Sequence, residues 1–442
     1  MKKILLLTTV CPTPLSDGKK VVLNGLMSYL IEQYGAGQIT WALVSSDIRG
    51  WKELMDFGIK GQIIRPPCLF NKINSILWRS FFTRSLSIQE ALFVCSDLKA
   101  RVANLIDDVK PDIIVCDTIR MGRLIVDADS RALRVLYLDD LFSVRYARML
   151  EQIRLGVSLG GSILGNFGAF LPKLARELVG RSSLLQRLLL TFERGQVEKS
   201  ELKVTGAFDV AALVNPDEAA LLSNRTGRVV AELRPWLRIP SVEPRAFDGR
   251  PTFVFMGSLN IPHNEVALLE FLRISFAEVV RRIPAAQLLV IGSKPSERVV
   301  AACAKWEGRV TLAGFVPDVN EALASCCGMI VPLLFGSGVK LKVLDALARG
   351  VPIVSTSVGT EGVPVSHGRE CYIENDIANF GRWLEQLVDP AVNAEMSIAG
   401  QKLFDSYYGR TAIFANYASL LQDKRLVESP QIAQERLAAA SS

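Results

Sequence analysis

The stretch Val331-Pro-Leu-Leu-Phe-Gly-Ser-Gly-Val-Lys-Leu-Lys-Val-Leu-Asp-Ala-Leu-Ala-Arg-Gly-Val-Pro-Ile-Val-Ser-Thr-Ser-Val-Gly-Thr-Glu-Gly362 decides how the rest of the chain is read. It spells strand, glycine loop, helix, turn, strand and a second glycine loop. Gly328-Met-Ile-Val-Pro-Leu-Leu334 is an apolar run of buried-strand length. Phe335-Gly-Ser-Gly338 then turns sharply, because glycine accepts positive φ and lets bare backbone N–H groups approach a ligand. Leu341, Leu344, Leu347 and Ala348 recur on one face of a helix that Gly350 ends, and Pro352-Ile-Val-Ser-Thr356 supplies the next strand. The N-terminal end of that helix, with Lys340 and Lys342 in its first turn, suits an anionic group such as a diphosphate. Asp345 lies further along, where a carboxylate can accept hydrogen bonds from ribose hydroxyls. Read without context, the same pattern also fits an ordinary βαβ crossover whose glycines only make tight turns.

The stretch resembles the retaining glycosyltransferases of family 4, which have the GT-B fold. Their pattern runs from a proline-ended strand through Gly-x-Gly-x-Lys to Leu-Glu-Ala-Met-Ala-x-Gly-x-Pro-Val-Val-x-Thr and a closing Gly-x-Glu-Gly. Here Leu344-Asp-Ala-Leu-Ala348, Gly350, Pro352-Ile-Val354, Thr356 and Gly359-Thr-Glu-Gly362 occupy those places. Many members carry two glutamates separated by seven residues, where this chain has Ser337 and Asp345. A subgroup of polysaccharide-assembly transferases shares the glycine-serine-glycine form. The resemblance implies an α/β chain of two Rossmann-like domains whose parallel sheets face each other across a cleft. It assigns donor contacts to Gly18, Gly257, Ser258, Phe315, Val316, Gly336, Ser337, Gly338, Lys340, Lys342, Asp345, Thr360 and Glu361.

Length and composition agree with such a chain. At 442 residues and 49% hydrophobic content, two or three domains with large cores are expected. Met1-Lys-Lys-Ile-Leu-Leu-Leu-Thr-Thr-Val10 mimics a signal peptide, but its apolar run is short and Cys11-Pro-Thr-Pro14 offers no small-residue cleavage site. A first strand is the better reading. No segment has the roughly 18 uninterrupted apolar residues that span a bilayer. Eight scattered cysteines and two histidines, His263 and His367, argue against a metal site and for reduced thiols in a cytosolic protein. The net charge of +6 is uneven. Lys60 to Arg84 holds five cations and no acid, and Arg145 to Arg194 holds eight cations against three acids. Such patches suit anionic lipid or pyrophosphate, or are solvated helix faces.

Taken in order, Ile4-Leu-Leu-Leu-Thr-Thr9 is the first strand, and a loop with Pro12, Pro14 and Gly18 leads to a helix from Val21 to Leu30. With a single glycine in that loop the Gly-x-Gly-x-x-Gly dinucleotide fingerprint is absent, as is the P-loop. Ile39-Thr-Trp-Ala-Leu-Val44 is the second strand. In Leu69 to Phe82, Phe70, Ile73, Ile76, Leu77 and Phe81 fall at helical spacing with Lys72 and Arg79 among them. That basic amphipathic helix either lies at a membrane interface or packs on the sheet. Asp112 to Asp117 and Arg134 to Leu138 are strands with polar ends, the second running into Asp139, Asp140, Ser143 and Arg145. Asp139 or Asp140 is the candidate to orient an acceptor hydroxyl or act as base, and Asp140 is equally a helix N-cap. Leu155 to Phe170 is glycine-rich and reads as a hydrophobic loop, and Phe208 to Leu222 as the last strand and helix of the first domain.

The proline-rich segment Pro235 to Pro251 reads as a linker. It separates an acceptor-side domain over 1–238 from a nucleotide-sugar domain over 239–406, with a helix at 407–425 packing back on the first domain. The resemblance implies transfer of a sugar from a nucleotide-sugar donor to a saccharide or lipid-linked acceptor. It implies retention, no metal or other cofactor, and a role in exopolysaccharide or cell-surface glycan synthesis. No nucleic acid is expected as partner. A catalytically idle GT-B scaffold and a nucleotide-sugar epimerase are the alternative readings, and a peripheral position on the inner face of the cell membrane follows from the basic segments.

Overall fold

The computed structural model describes residues 2–15, 18–128, 131–154, 182–239, 245 and 247–422. The glycine-rich loop at 155–170, the tail at 429–442 and parts of the 235–251 linker lie outside these residues. The chain divides into two units. One comprises Met1–Ala147, Leu189–Trp236 and Arg410–Ser442, the other Arg148–Leu188 and Leu237–Gly409.

The first unit is built on seven strands, β1 (Ile4–Thr8), β2 (Ile39–Val44), β3 (Lys60–Ile64), β4 (Ile113–Asp117), β5 (Leu133–Tyr137), β6 (Val210–Leu213) and β7 (Val230–Glu232). They pair parallel throughout in the order β3-β2-β1-β4-β5-β6-β7. A parallel sheet is covered by its own crossovers on both faces, so central strands are continuous apolar runs. Every residue of β1, β2 and β4 is buried, while the edge strand β3 exposes its first four. The bulkiest residue of β2, Trp41, is fully buried and its indole Nε1 donates to Thr8 Oγ1 at 2.8 Å.

The first helix differs from the sequence expectation. It runs Gly18–Tyr34, so Gly18 is its first residue rather than part of the preceding loop, and it extends four residues beyond Leu30. Gly25 on this helix admits a neighbour that no larger residue allows: a Cβ there would lie 2.9 Å from Trp236 Cβ and 3.2 Å from Tyr417 Oη. The terminal helix, Arg410–Gln422, closes over the same place. Tyr29 meets the rings of Phe414 and Tyr417 edge-on at 5.2 and 5.5 Å, Tyr417 Oη donates to the Arg234 carbonyl, and Arg410 pairs with Glu32.

The second unit has six parallel strands, β8 (Thr252–Met256), β9 (Gln287–Ile291), β10 (Val310–Gly314), β11 (Gly328–Val331), β12 (Ile353–Ser355) and β13 (Tyr372–Ile373). Their order is β10-β9-β8-β11-β12-β13. In both sheets the strand order reverses once, between β1 and β4 and between β8 and β11. Ligands of open α/β sheets sit beyond the carboxyl ends of the strands at such a reversal.

Buried carboxylates hold the helices of the first unit in place. Glu193 accepts the N–H groups of Ile88 and Gln89 at 2.8 and 3.2 Å, and Glu201 accepts the N–H and Oγ of Ser143 at 3.1 and 2.5 Å. Burial pushes both acids up to about 7, against the hydrogen bonds that favour their charged forms. The sign follows from linkage. The unfolded chain releases these protons near pH 4.3, whereas the folded state keeps them to about 7, so stability falls as pH rises across that window and levels off above it. Glu193→Gln should therefore flatten the loss of Tm between pH 5 and 7.5. An unchanged slope in thermal unfolding across that range would remove Glu193 from the account.

Candidate functional site

The second unit assembles its candidate site at the ends of β8 and β11. Gly257 follows β8, and a Cβ there would fall 2.8 Å from Lys342 Nζ and 2.9 Å from the Asn264 amide. Glycine at 257 thus lets the lysine reach the strand end. Lys342 Nζ donates to Asn264 Oδ1 at 2.7 Å, and Asn264 Nδ2 in turn donates to the Ser258 carbonyl at 3.0 Å. The Lys342 ammonium also sits 5.2 Å from the centre of the Phe255 ring. The Ser258 hydroxyl points instead to Asn260 Oδ1 at 2.8 Å.

After β11, Gly336 and Gly338 have φ of 141° and 70°, which L side chains rarely adopt. Lys340, buried just before the helix Leu341–Ala348, folds its ammonium back onto the carbonyls of Ser337 and Gly338. The Lys340 ammonium thus contacts backbone carbonyls and the Lys342 ammonium a side-chain amide oxygen. Burial first, and the charge of Lys340 second, push Lys342 down to about 7. A site that strains to keep its ammonium charged is one that an anion relieves.

The other expected donor residues are placed unevenly. Asp345 forms an ion pair with Arg349 at 2.9 Å one turn along the helix, and burial raises its pKa against that pairing. Thr360 is buried, with its hydroxyl 3.4 Å from the Thr356 carbonyl. Glu361 is gripped by Arg148 through two contacts of 2.5 and 2.6 Å, and the same guanidinium donates to the Gly336 carbonyl at 2.6 Å. Arg148 thereby ties the two glycine loops together, a role its place in a distant basic segment did not reveal. Phe315 is 74% exposed directly after Gly314, whose φ is 69°, and Val316 is half-buried.

In the first unit, Asp117 ends β4 and is buried. It pairs with Lys19 at 2.7 Å and accepts from the Thr9 hydroxyl at 3.3 Å. This cluster joins the ends of β1 and β4, where the sheet order reverses. Sequence reasoning saw a polar strand end at 117 but did not select it, because only the fold brings Lys19 to it. Gly18 leaves the expected approach loop for the helix and serves to start it. Asp139 has a φ of 67° and accepts the Tyr137 hydroxyl at 2.8 Å. Asp140 pairs with Arg145. The N–H groups of Leu141 and Ser143 at the head of the helix Phe142–Arg154 go to Glu218 and Glu201, so these glutamates fill the capping role considered for Asp140.

Known proteins agree with this architecture. Residues 250–389 match the family model described as glycosyl transferases group 1. A Klebsiella pneumoniae protein described as an uncharacterized 44.6 kDa protein in the cps region is 26% identical over 233 residues. That match covers 50% of this chain and 56% of the relative, so the chain spans about half the length of the curated protein it resembles. Among solved structures, Anabaena Alr3699/HepE in complex with UDP and glucose superposes with a TM-score of 0.62 at 12% identity, covering 96% of this chain and 100% of that one. Sucrose-phosphate synthase from Thermosynechococcus elongatus superposes with a TM-score of 0.64 at 14% identity over 100% of both chains. With its two reversed parallel sheets the chain has a GT-B fold, and its second unit carries the segment that matches the group 1 glycosyl transferases.

Proposed function

We propose that the protein transfers a sugar from a nucleotide-sugar donor to a saccharide or lipid-linked acceptor in the synthesis of a surface polysaccharide. The observation that carries the reading is the pair Lys340 and Lys342 beside the glycine turn at the β11 end, poised for a diphosphate. The UDP named for HepE makes uridine nucleotides the first donors to test, and the cps relative supports the polysaccharide context. In the reaction the anomeric carbon loses its bond to the diphosphate oxygen and gains one to the acceptor oxygen. The acceptor proton passes to the leaving phosphate, and the lysines and the Gly336 to Gly338 backbone take up the charge that develops there. Asp345 offers its second oxygen to the ribose, Glu361 is held for the sugar, and Asp139 orients the acceptor hydroxyl.

Incubating the protein with a panel of nucleotide sugars and measuring freed nucleotide and transferred sugar tests the reading. Neither product from any donor, despite measurable nucleotide binding, would leave an inactive scaffold. Lys342→Ala should weaken UDP binding by about 1.5–3 kcal/mol, as expected for the loss of a charged hydrogen-bond donor. Calorimetry giving equal affinity for wild type and variant removes the lysine from the site.

The pH dependence has a definite sign. In the free protein Lys342 loses its proton near pH 7, and a bound diphosphate holds that proton on. Affinity for UDP should therefore drop as pH rises from 7 to 9, by at most about tenfold per unit, with proton uptake visible as a buffer-dependent enthalpy. Lys342→Met should lose both effects. Equal enthalpies in phosphate and Tris at pH 8 would contradict the coupling.

Asp345→Ala separates two roles. If it contacts ribose, UDP affinity falls while thermal unfolding stays within a few degrees of wild type. A fall in Tm with unchanged affinity would confine Asp345 to its pairing with Arg349.

A further inference from the structure

The segment Leu69 to Phe82 is folded inside out. It forms an α-helix, Leu69–Ser75, that widens into a π-helical turn, Ile76–Phe82. The residues it buries are Ser75 and Ser80, at 8% and 0% exposure, whereas Phe70 and Phe82 are 77% and 78% exposed. Leu69, Ile73, Leu77, Trp78 and Phe81 are exposed as well. The sequence left open whether this apolar stripe packs on the sheet, and the structure turns it outward. Rings are matched along it: Trp78 stacks on Phe82 at 5.0 Å and 6°, and Phe81 stacks on Phe192 at 5.1 Å. Contiguous apolar patches of this kind mark contact surfaces, since leaving them in water is costly.

Charge decides which contact. No acidic residue occurs from Lys60 to Arg84, and Arg84 is exposed at the end of the ridge. Arg79, from the middle of the ridge, lines a cavity together with Lys99, Arg123 and Lys203, with Asp127 as the acid among its lining residues. Arg123 donates to the Ser85 carbonyl at 3.2 Å and pairs with buried Glu90 at 3.5 Å, and Lys99 pairs with Asp127, so four cations against two acids leave the cavity cationic overall. A second copy of the chain docked ridge to ridge would bring like charges together. An anionic bilayer satisfies both features, taking the aromatic side chains at the depth of its headgroups and the cations at its phosphates.

We propose that the ridge Leu69 to Phe82 docks the first unit onto an anionic membrane surface, with the cavity of Arg79, Lys99, Arg123 and Lys203 receiving a lipid phosphate. The inference goes beyond the transfer reaction and does not depend on it, because no donor-site residue takes part. The test is flotation of the full chain with vesicles of phosphatidylglycerol and phosphatidylcholine, against vesicles of phosphatidylcholine alone, at low and high salt. Binding is expected only to the anionic vesicles, weaker at high salt and insensitive to Lys342→Ala. Replacing Phe70, Trp78 and Phe82 together by serine should reduce partitioning at least tenfold without lowering Tm, since all three are exposed. Lys203→Gln with Lys99→Gln should reduce it as well, and added inorganic phosphate should not compete if the bilayer is the ligand. Protein that stays unbound at low salt overturns the proposal, as does a triple variant that floats like wild type. Absence of vesicle binding with ridge-dependent self-association in light scattering would assign the face to a second copy instead.

Discussion

A parallel strand has to be reached by a crossover that passes over the sheet, and that constraint arranges everything else in this protein. Each crossover returns the chain to the same edge, so the carboxyl ends of all strands in a sheet gather along one side. Where the order reverses, neighbouring crossovers leave on opposite faces and a gap opens between the loops. In the first unit Thr9, Lys19 and Asp117 meet at that gap. In the second unit Gly257, Lys340 and Lys342 do. The polar chemistry is thus located by topology first and by residue choice second.

The two units load these places differently. The first unit buries carboxylates and satisfies them with backbone N–H groups at helix starts, which fixes the helices, while burial raises Glu193 and Glu201 to about 7. The second buries ammonium groups and gives them carbonyl and amide oxygens. An acid capped by N–H groups is finished business structurally. Lys342, held against the Asn264 amide and pushed down by burial and by the charge of Lys340, is relieved by an anion, which is why the second unit carries the stronger functional signal.

Much of the architecture was legible because buried parallel strands leave unbroken apolar runs: β2 begins and ends at the residues read from Ile39 to Val44. The helix after β11 was legible from its leucine spacing, Lys342 from its place in the first turn and Lys340 from its place just ahead of it. Three things were not. The start of the first helix at Gly18 escaped because glycine is a poor helix former, and here its lysine neighbour is held by Asp117. The Arg148 grip on Glu361 spans 213 positions and leaves no local pattern. The Leu69 to Phe82 stripe had the right period but no sequence feature states which way a stripe faces; only the burial of Ser75 and Ser80 does.

The helix Arg410–Gln422 belongs to the first unit although the whole second unit precedes it in the chain. During synthesis, therefore, the ribosome must deliver some 170 residues of the second unit before Tyr417 can cover Gly25, Tyr29 and Trp236. Until then the nascent first unit carries an open aromatic seam, the kind of surface that chaperones bind. Translation order and folding order are out of step by design of the topology. A chain interrupted between Ile373 and Arg410 has every strand of both sheets and still leaves the first unit unsealed.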